Sequence, residues 1–135
     1  MRKIPLTLLI ALSSTLFTNE ATAQNQPLAC QVEAAAGLAW ENGRWVTRTF
    51  IDGKFILVQS GNTLTKDSIA KAFTIPAAVN CRNNTNHIEC TNEYGEALFF
   101  NPKTLKGGTA YLFGSINEGN VRDSVSVRAF SCTPF

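Results

Sequence analysis

The residues with the most reactive side chains in this 135-residue chain are its four cysteines, Cys30, Cys81, Cys90 and Cys132, and its single histidine, His87. Any acid/base scheme that uses an imidazole must use His87, which lies at the end of a predicted strand beside a turn. If the cysteines are paired, no thiolate nucleophile remains. There is no C-x-x-C spacing to accompany the lone histidine, so we predict neither a metal site nor a cofactor.

Three glutamates that lie close together in the sequence are the candidates for the catalytic carboxylates of a hydrolase: Glu89, Glu93 and Glu96. Glu93 and Glu96 bracket a predicted turn at 94–95, where both carboxyl groups would be close together and solvated. A general acid needs a buried, apolar setting that raises its pKa, and the sequence around this turn supplies none. A small hydrolase that uses surface carboxylates is therefore the least favoured of three functional interpretations.

The amino-terminal segment has the three parts of a cleavable secretory signal. Arg2 and Lys3 supply a positive region, an apolar stretch follows, and small residues end at Ala23. Polar residues interrupt the apolar stretch, whereas about 20 consecutive apolar residues are needed to span a bilayer. We therefore predict a signal peptide over 1–23 and a single domain over 24–135, with no transmembrane segment and a periplasmic or secreted location.

The charge of the predicted domain is close to neutral, because it contains ten basic and nine acidic residues. A protein that binds nucleic acid by neutralising phosphates needs a basic patch, so we predict no nucleic-acid partner. Its length of about 112 residues fits one domain. Apolar residues make up 44% of the whole chain, which is enough for a packed core.

An even number of cysteines in a small exported domain favours two disulfides. Three pairings are possible, and we prefer Cys81–Cys90 with Cys30–Cys132. The first would close a short hairpin around an Asn-rich turn, and the second would join the two ends of the domain. Strict strand alternation places Cys30 on the core face and Cys132 on the solvent face, so the second pairing requires a bulge or an irregular chain end.

Two Asx-Gly pairs, at 42–43 and 52–53, each lie between strand-like runs and are typical of two-residue hairpin turns. They predict a three-stranded meander in which Trp40 faces Trp45 across the first turn and strand order follows the chain. The second turn would place residue 50 opposite residue 55. The strands predicted for this part of the chain are 34–41, 44–51 and 54–59.

Side chains alternate between the two faces of this meander. The predicted core face consists of Leu38, Trp40, Trp45, Thr47, Thr49, Ile51, Ile56 and Val58. The other face carries Arg44, Arg48, Phe50, Phe55 and Leu57. Either a later segment covers its three apolar residues or they form an exposed patch. Because arginine and aromatic residues are enriched at interface anchors, these five are the predicted binding residues.

The rest of the chain contains one helical candidate and more strands. Segment 64–73 places Leu64, Ile69 and Phe73 near one helix face, and Pro76 ends it. The predicted strands that follow are 77–82, 87–92, 96–101, 109–116 and 122–132. About eight strands in all predict a mainly β domain, an antiparallel meander that forms a small barrel or a sandwich with one short helix.

The last predicted strand has the alternation of a half-buried strand. Its two sets of side chains are Val121, Val125, Val127 and Ala129 on one side, and Arg122, Ser124, Ser126 and Arg128 on the other. The pattern predicts that the first set is buried and that the second set faces solvent.

The run GLAWENGRW at 37–45 resembles a pattern in small exported bacterial proteins of no assigned activity, and the closing stretch 122–132 has the same character. The resemblance implies export and carries no catalytic or ligand motif. Eight short strands with an aromatic pair also look like a lipocalin-type barrel. The lipocalin Gly-x-Trp motif would then be 43–45, which lies at a hairpin turn rather than on the first strand after a helix.

The leading interpretation is an exported non-enzymatic module that binds a protein or an envelope component, such as an inhibitor, an envelope accessory protein or a host-directed factor. A second interpretation is a small barrel that carries an apolar ligand, lined by residues such as Leu38, Trp40, Ile56 and Val58. Large tryptophans on an inner face favour a filled lumen over a carrier.

Overall fold

The computed structural model describes residues 24–50, 53–115 and 124–135, and the predicted signal peptide lies outside these residues. The described backbone is mainly antiparallel strands with one helix, as the sequence predicts. A 3₁₀ turn at Phe113–Ser115 is the other helical element. In chain order the elements are β1 (Asn25–Glu41), β2 (Arg44–Thr49), β3 (Lys54–Ser60), β4 (Thr63–Leu64), α1 (Lys66–Ala72), β5 (Val79–Asn83), β6 (Ile88–Asn92), β7 (Glu96–Asn101), β8 (Lys106–Tyr111) and β9 (Ser124–Pro134).

The strands form one sheet that is nearly closed into a barrel. Their order is β4-β3-β1-β9-β8-β7-β6-β5, with β2 added beside β1. Helix α1 contacts both β3 and β5, so it lies across the gap between the two ends of the sheet. Of the two predicted arrangements, the structure therefore has the barrel.

The first predicted hairpin is present. β1 and β2 pair antiparallel with Trp40 opposite Trp45, and the two indole rings meet edge-on with their centroids 5.3 Å apart. Asn42 and Gly43 have φ angles of 51° and 77°. A two-residue type I′ turn requires positive φ at both central residues, which an Asn-Gly pair adopts at little cost.

The strand pairing predicted across the second turn, at 52–53, is wrong, and residue 52 itself lies outside the described residues. β3 pairs with the amino-terminal part of β1, so Phe55 lies opposite Cys30 and not opposite Phe50. β9 occupies the other edge of β1 along most of its length. Because β1 is 17 residues long, its remaining edge accommodates β2 and β3 one after the other, and the chain runs in the same direction in both strands.

A bulge in β1 changes which of its side chains face the interior. The register with β9 shifts between Val32 and Ala34, which leaves Glu33 as the extra residue. Even-numbered side chains therefore point inward before the bulge and odd-numbered side chains after it. The buried residues of this strand are Leu28, Cys30, Val32 and Ala35.

The predicted core face is wrong because the bulge and the pairing of β3 invert the alternation. Leu38 and Trp45 are partly exposed, and Ile56 is 52% exposed. The last strand is inverted in the same way, since Val127 is 56% exposed while Ser126 is buried. In β9 the even-numbered side chains point inward, since Phe130 and Cys132 are both buried. The valines have odd numbers and therefore point outward.

The interior is filled by side chains from the strands and from α1. Both predicted disulfides, Cys30–Cys132 and Cys81–Cys90, are present, and each joins two directly paired residues of neighbouring strands. α1 falls within the predicted helical segment 64–73. The largest fully buried side chains are Phe100, Phe130, Leu28, Leu57, Ile69, Ile88 and Leu98.

Candidate functional site

The five predicted binding residues do not form one surface. Leu57 is fully buried, and Phe50 and Phe55 are partly buried and pack against the core. α1 contacts β3, so a later segment does cover this part of the chain. Arg44 and Arg48 are exposed on β2. The structure therefore keeps the two arginines accessible and removes the three apolar residues from the predicted surface.

Arg48 is held by an ion pair across the β1–β2 hairpin. Its Nε donates to Oε1 of Glu41 at 2.7 Å, and its Nη2 donates to the second carboxylate oxygen. This hydrogen bond and the positive charge of Arg48 hold the pKa of Glu41 below its usual value. The pair bridges β1 and β2, whereas Arg44, the other arginine of β2, makes no ion pair with a described residue.

The ion pair between Arg48 and Glu41 allows a prediction about the pKa of Glu41. Replacing Arg48 by Gln should raise the pKa of Glu41 toward 4.5, its unperturbed value, as measured by an NMR pH titration of the carboxyl carbon. A carboxyl group with a lowered pKa stabilises the folded state above its unfolded pKa, and this contribution is lost as the pH falls through the folded pKa. Arg44→Gln is the control because it removes a charge from the same hairpin without removing the hydrogen bond. An equal effect of both variants would contradict this explanation.

The side of the sheet that faces away from the interior carries several large apolar side chains. Leu112 and Val127 are each 56% exposed, and Phe99 is 45% exposed. We define the outer apolar surface as Ala36, Leu38, Trp40, Trp45, Ala97, Phe99, Ala110, Leu112 and Val127. Sequence alternation missed this surface because it assigned Leu38, Trp40, Trp45 and Val127 to the core.

The strand registers make this surface continuous. A cross-strand row runs from β1 to β7 through Ala36, Val127, Ala110 and Ala97, each opposite the next. Neighbouring strands lie about 4.8 Å apart, so side chains in such a row are in lateral contact range. The tryptophan pair lies at the β1–β2 end of the surface, and Phe99 lies at the β7 end.

The small residues within the outer apolar surface leave a groove between the larger ones. This groove has a volume of about 540 Å³ and lies over the bulge. Its lining residues are Glu33, Ala34, Ala35, Ala36, Thr49, Val127, Arg128 and Ala129. A second groove of about 550 Å³ on the same side of the sheet is lined by residues that include Ile56. Both grooves open on the outside of the barrel, whereas its interior is filled by side chains.

The β1–β2 hairpin also presents a strand edge. In the described part of the chain, β2 pairs with β1 alone. The N–H of Phe50 donates to the carbonyl of Ala35, which identifies even-numbered residues as those that bond to β1. The N–H and C=O groups of Trp45, Thr47 and Thr49 therefore point away from β1, toward the open edge.

Glu96 is not the solvated turn residue that the sequence predicts, because it is 3% exposed. Its carboxylate accepts hydrogen bonds from the backbone N–H groups of Thr74 and Ile75, at 2.6 and 3.0 Å, and from the side-chain amide of Asn92 at 3.0 Å. Glu93 is exposed, so the two carboxyl groups lie in different environments. Through these hydrogen bonds Glu96, on β7, holds the segment that comes directly after α1. Both of its carboxylate oxygens accept hydrogen bonds from these donors.

The four cysteines and His87, which have the other reactive side chains, each have a partner within the structure. All four cysteines are in disulfides, and the His87 ring lies 3.1 Å from the amide of Asn84 and beside the ring of Phe99. Across residues 24–50, 53–115 and 124–135, no group of three or more His, Cys, Asp or Glu side chains is placed to hold a metal ion. Among the described helices, none has both the length and the apolar character needed to cross a membrane.

Comparison of the chain with protein-family models, with curated proteins and with solved structures found no match in any of the three. The function is therefore inferred from the geometry of the chain itself.

Proposed function

We propose that this chain is an exported, non-enzymatic binding module that recognises a protein partner through its outer apolar surface. The observation that carries the proposal is the continuous run of exposed and half-buried apolar side chains from Trp45 to Phe99. Small monomeric proteins rarely expose a large contiguous apolar patch unless it contacts something. Two disulfides are compatible with an oxidising compartment such as the periplasm or the extracellular space.

A protein partner fits this surface better than a lipid because the surface ends at an open strand edge. The backbone groups of Trp45, Thr47 and Thr49 match the hydrogen-bonding pattern of an added strand. Such a strand would place alternate side chains beside Trp45, on the outer apolar surface. Arg44 is exposed at the start of the same edge, where it would pair with a carboxylate of the partner.

Site-specific photo-crosslinking in the native compartment tests the proposal. A photoreactive residue at Val127 or at Thr47 should crosslink the same protein, because both positions lie on the proposed contact surface. A photoreactive residue at Lys71, which is exposed on α1, is the control and should not crosslink it. Equal crosslinking from Lys71, or binding to phospholipid vesicles without any protein adduct from the other two positions, would contradict the proposal.

The affinity for the crosslinked protein gives a quantitative prediction. The double variant Trp45→Ser, Val127→Ser should weaken binding at least about tenfold, because anchors of this kind carry much of the binding energy of an interface. Arg44→Glu should weaken binding by a smaller factor, since it changes a charge at the rim. Both variants should keep the native circular dichroism spectrum, because the altered side chains are exposed. Lys71→Ser serves as the matched control for titration calorimetry.

A further inference from the structure

A separate cavity lies at one end of the barrel, where three turns meet. Its volume of about 430 Å³ falls within the range of about 300–1,000 Å³ that small-molecule pockets occupy. The β3–β4 turn, the β5–β6 turn and the β7–β8 turn all contribute to it. The polar side chains that line it are Gln59, Asn62, Asn83, Asn84, Thr85, His87 and Lys103.

Most of these side chains are carboxamides, which distinguishes this cavity from the grooves on the outside of the sheet. A carboxamide carries two N–H donors and a carbonyl acceptor on one planar group. A sugar hydroxyl also donates and accepts, and adjacent hydroxyls present these functions at close spacing. A cluster of carboxamides around one cavity is therefore complementary to a polyhydroxylated ligand.

Internal hydrogen bonds orient two of the carboxamides through their amide nitrogens, and no described residue donates to their oxygens. Nε2 of Gln59 donates to the carbonyl of Gly61 at 2.9 Å, and Nδ2 of Asn84 lies 3.1 Å from Nε2 of His87. The side chains of Asn62 and Asn83 make no hydrogen bond to any described residue. The cavity thus combines two oriented carboxamides with two whose donors and acceptors are open to a ligand.

The charge of the side chains that line the cavity indicates which class of hydroxylated ligand it would bind. Lys103 lines the cavity as a cation, and no Asp or Glu is among the lining residues. Lys103 makes no ion pair with a described residue. A cation without a countercharge beside hydroxyl-binding groups favours a ligand that carries a negative group. We propose that this cavity binds a saccharide that bears a carboxylate, such as a uronic acid residue of a glycan.

Titration of the ¹⁵N-labelled mature protein with three small probes tests this proposal. Glucuronate carries hydroxyls and a carboxylate, glucose carries hydroxyls alone, and acetate carries a carboxylate alone. Glucuronate should shift the side-chain amide signals of Gln59, Asn62, Asn83 and Asn84 in a saturable way. Glucose should shift the same signals with a lower affinity, and acetate should not saturate them. Equal affinities for acetate and glucuronate, or no saturable shift with glucuronate, would overturn the proposal.

Variants test whether the saturable shifts arise from binding in the cavity. Asn62→Ala combined with Asn84→Ala should abolish the saturable shift, whereas Asn80→Ala, at an exposed position on β5 outside the cavity, should not change it. Lys103→Gln should weaken glucuronate about threefold to fivefold and leave glucose unchanged, as expected for an exposed charge pair.

Lys106→Gln, at an exposed lysine outside the cavity, is the control for charge. An equal loss of glucuronate affinity in Lys103→Gln and Lys106→Gln would overturn the role of the cavity. These variants leave the outer apolar surface intact, so this inference and the proposed function can fail independently.

Discussion

Replacing Cys30 and Cys132 together by Ala should lower the free energy of unfolding by about 4–5 kcal/mol. The disulfide joins residues that are 102 positions apart in the chain, so it removes much of the conformational freedom of the unfolded state. It also lies in the core, between β1 and β9, where both cysteines are buried. Urea denaturation followed by tryptophan fluorescence measures the loss.

The other disulfide supplies a matched comparison. Cys81 and Cys90 are only nine positions apart, so the double Ala variant at these residues should lose about 2.5–3 kcal/mol. The m-value should rise more when the long-range link is removed, because the unfolded chain then expands further. Equal losses in the two double variants would show that chain entropy does not govern the effect of these disulfides.

Glu96→Gln should destabilise the fold by about 2–4 kcal/mol, although the change removes only a charge and replaces one oxygen by nitrogen. The carboxylate of Glu96 accepts three hydrogen bonds in a buried position. An amide has a single acceptor oxygen, so its NH₂ group would face a donor, such as the N–H of Ile75, and leave it unsatisfied. The same denaturation experiment measures the effect.

Glu93→Gln is the control for Glu96→Gln because it makes the same chemical change at an exposed residue of the same turn. It should change the free energy of unfolding by less than about 0.5 kcal/mol. Hydrogen exchange at the amides of Thr74 and Ile75 provides a second readout, since both N–H groups donate to Glu96. Unchanged exchange at these amides in Glu96→Gln would contradict the role assigned to the carboxylate.

The five residues that the sequence predicts to bind a partner lie in different surroundings in the structure. Arg44 and Arg48 are exposed as predicted, but Leu57 is in the core. Several of the exposed apolar residues, including Trp45 and Val127, belong instead to the set that alternation assigned to the interior. A single inserted residue exchanges the two faces of a strand, so an error in phase transfers a whole surface from inside to outside.

The buried carboxylate of Glu96 shows another limit of the sequence. The turn at 94–95 predicts solvated neighbours, and the turn is present, with Gly95 at a φ of 69°. Two of the three donors to the Glu96 carboxylate are the N–H groups of Thr74 and Ile75, more than twenty residues earlier in the chain. No local pattern around residue 96 identifies partners at that separation, whereas the packing of α1 against β3 and β5 brings them to it.

The sequence by itself determined the features that depend on neighbouring residues. Alternation and turn residues identified β7 with its observed bounds, the hairpin at Asn42-Gly43 and the helix before Pro76. Cysteine number and spacing predicted two disulfides and favoured, among three possible pairings, the one that the structure shows. The strand, the hairpin and the helix are stabilised by contacts or backbone preferences close in the chain, whereas the Cys30–Cys132 disulfide joins residues 102 positions apart.

Only the tertiary structure decided which strands share an edge and which side of each strand is buried. β3 pairs with β1 because the long first strand has an edge free beyond β2, and the bulge at Glu33 reverses the inward phase within that strand. Strand partners are chosen by the total burial of distant segments, which periodicity within one segment does not encode. The outer apolar surface and the carboxamide-lined cavity exist only because these long-range choices bring their residues together.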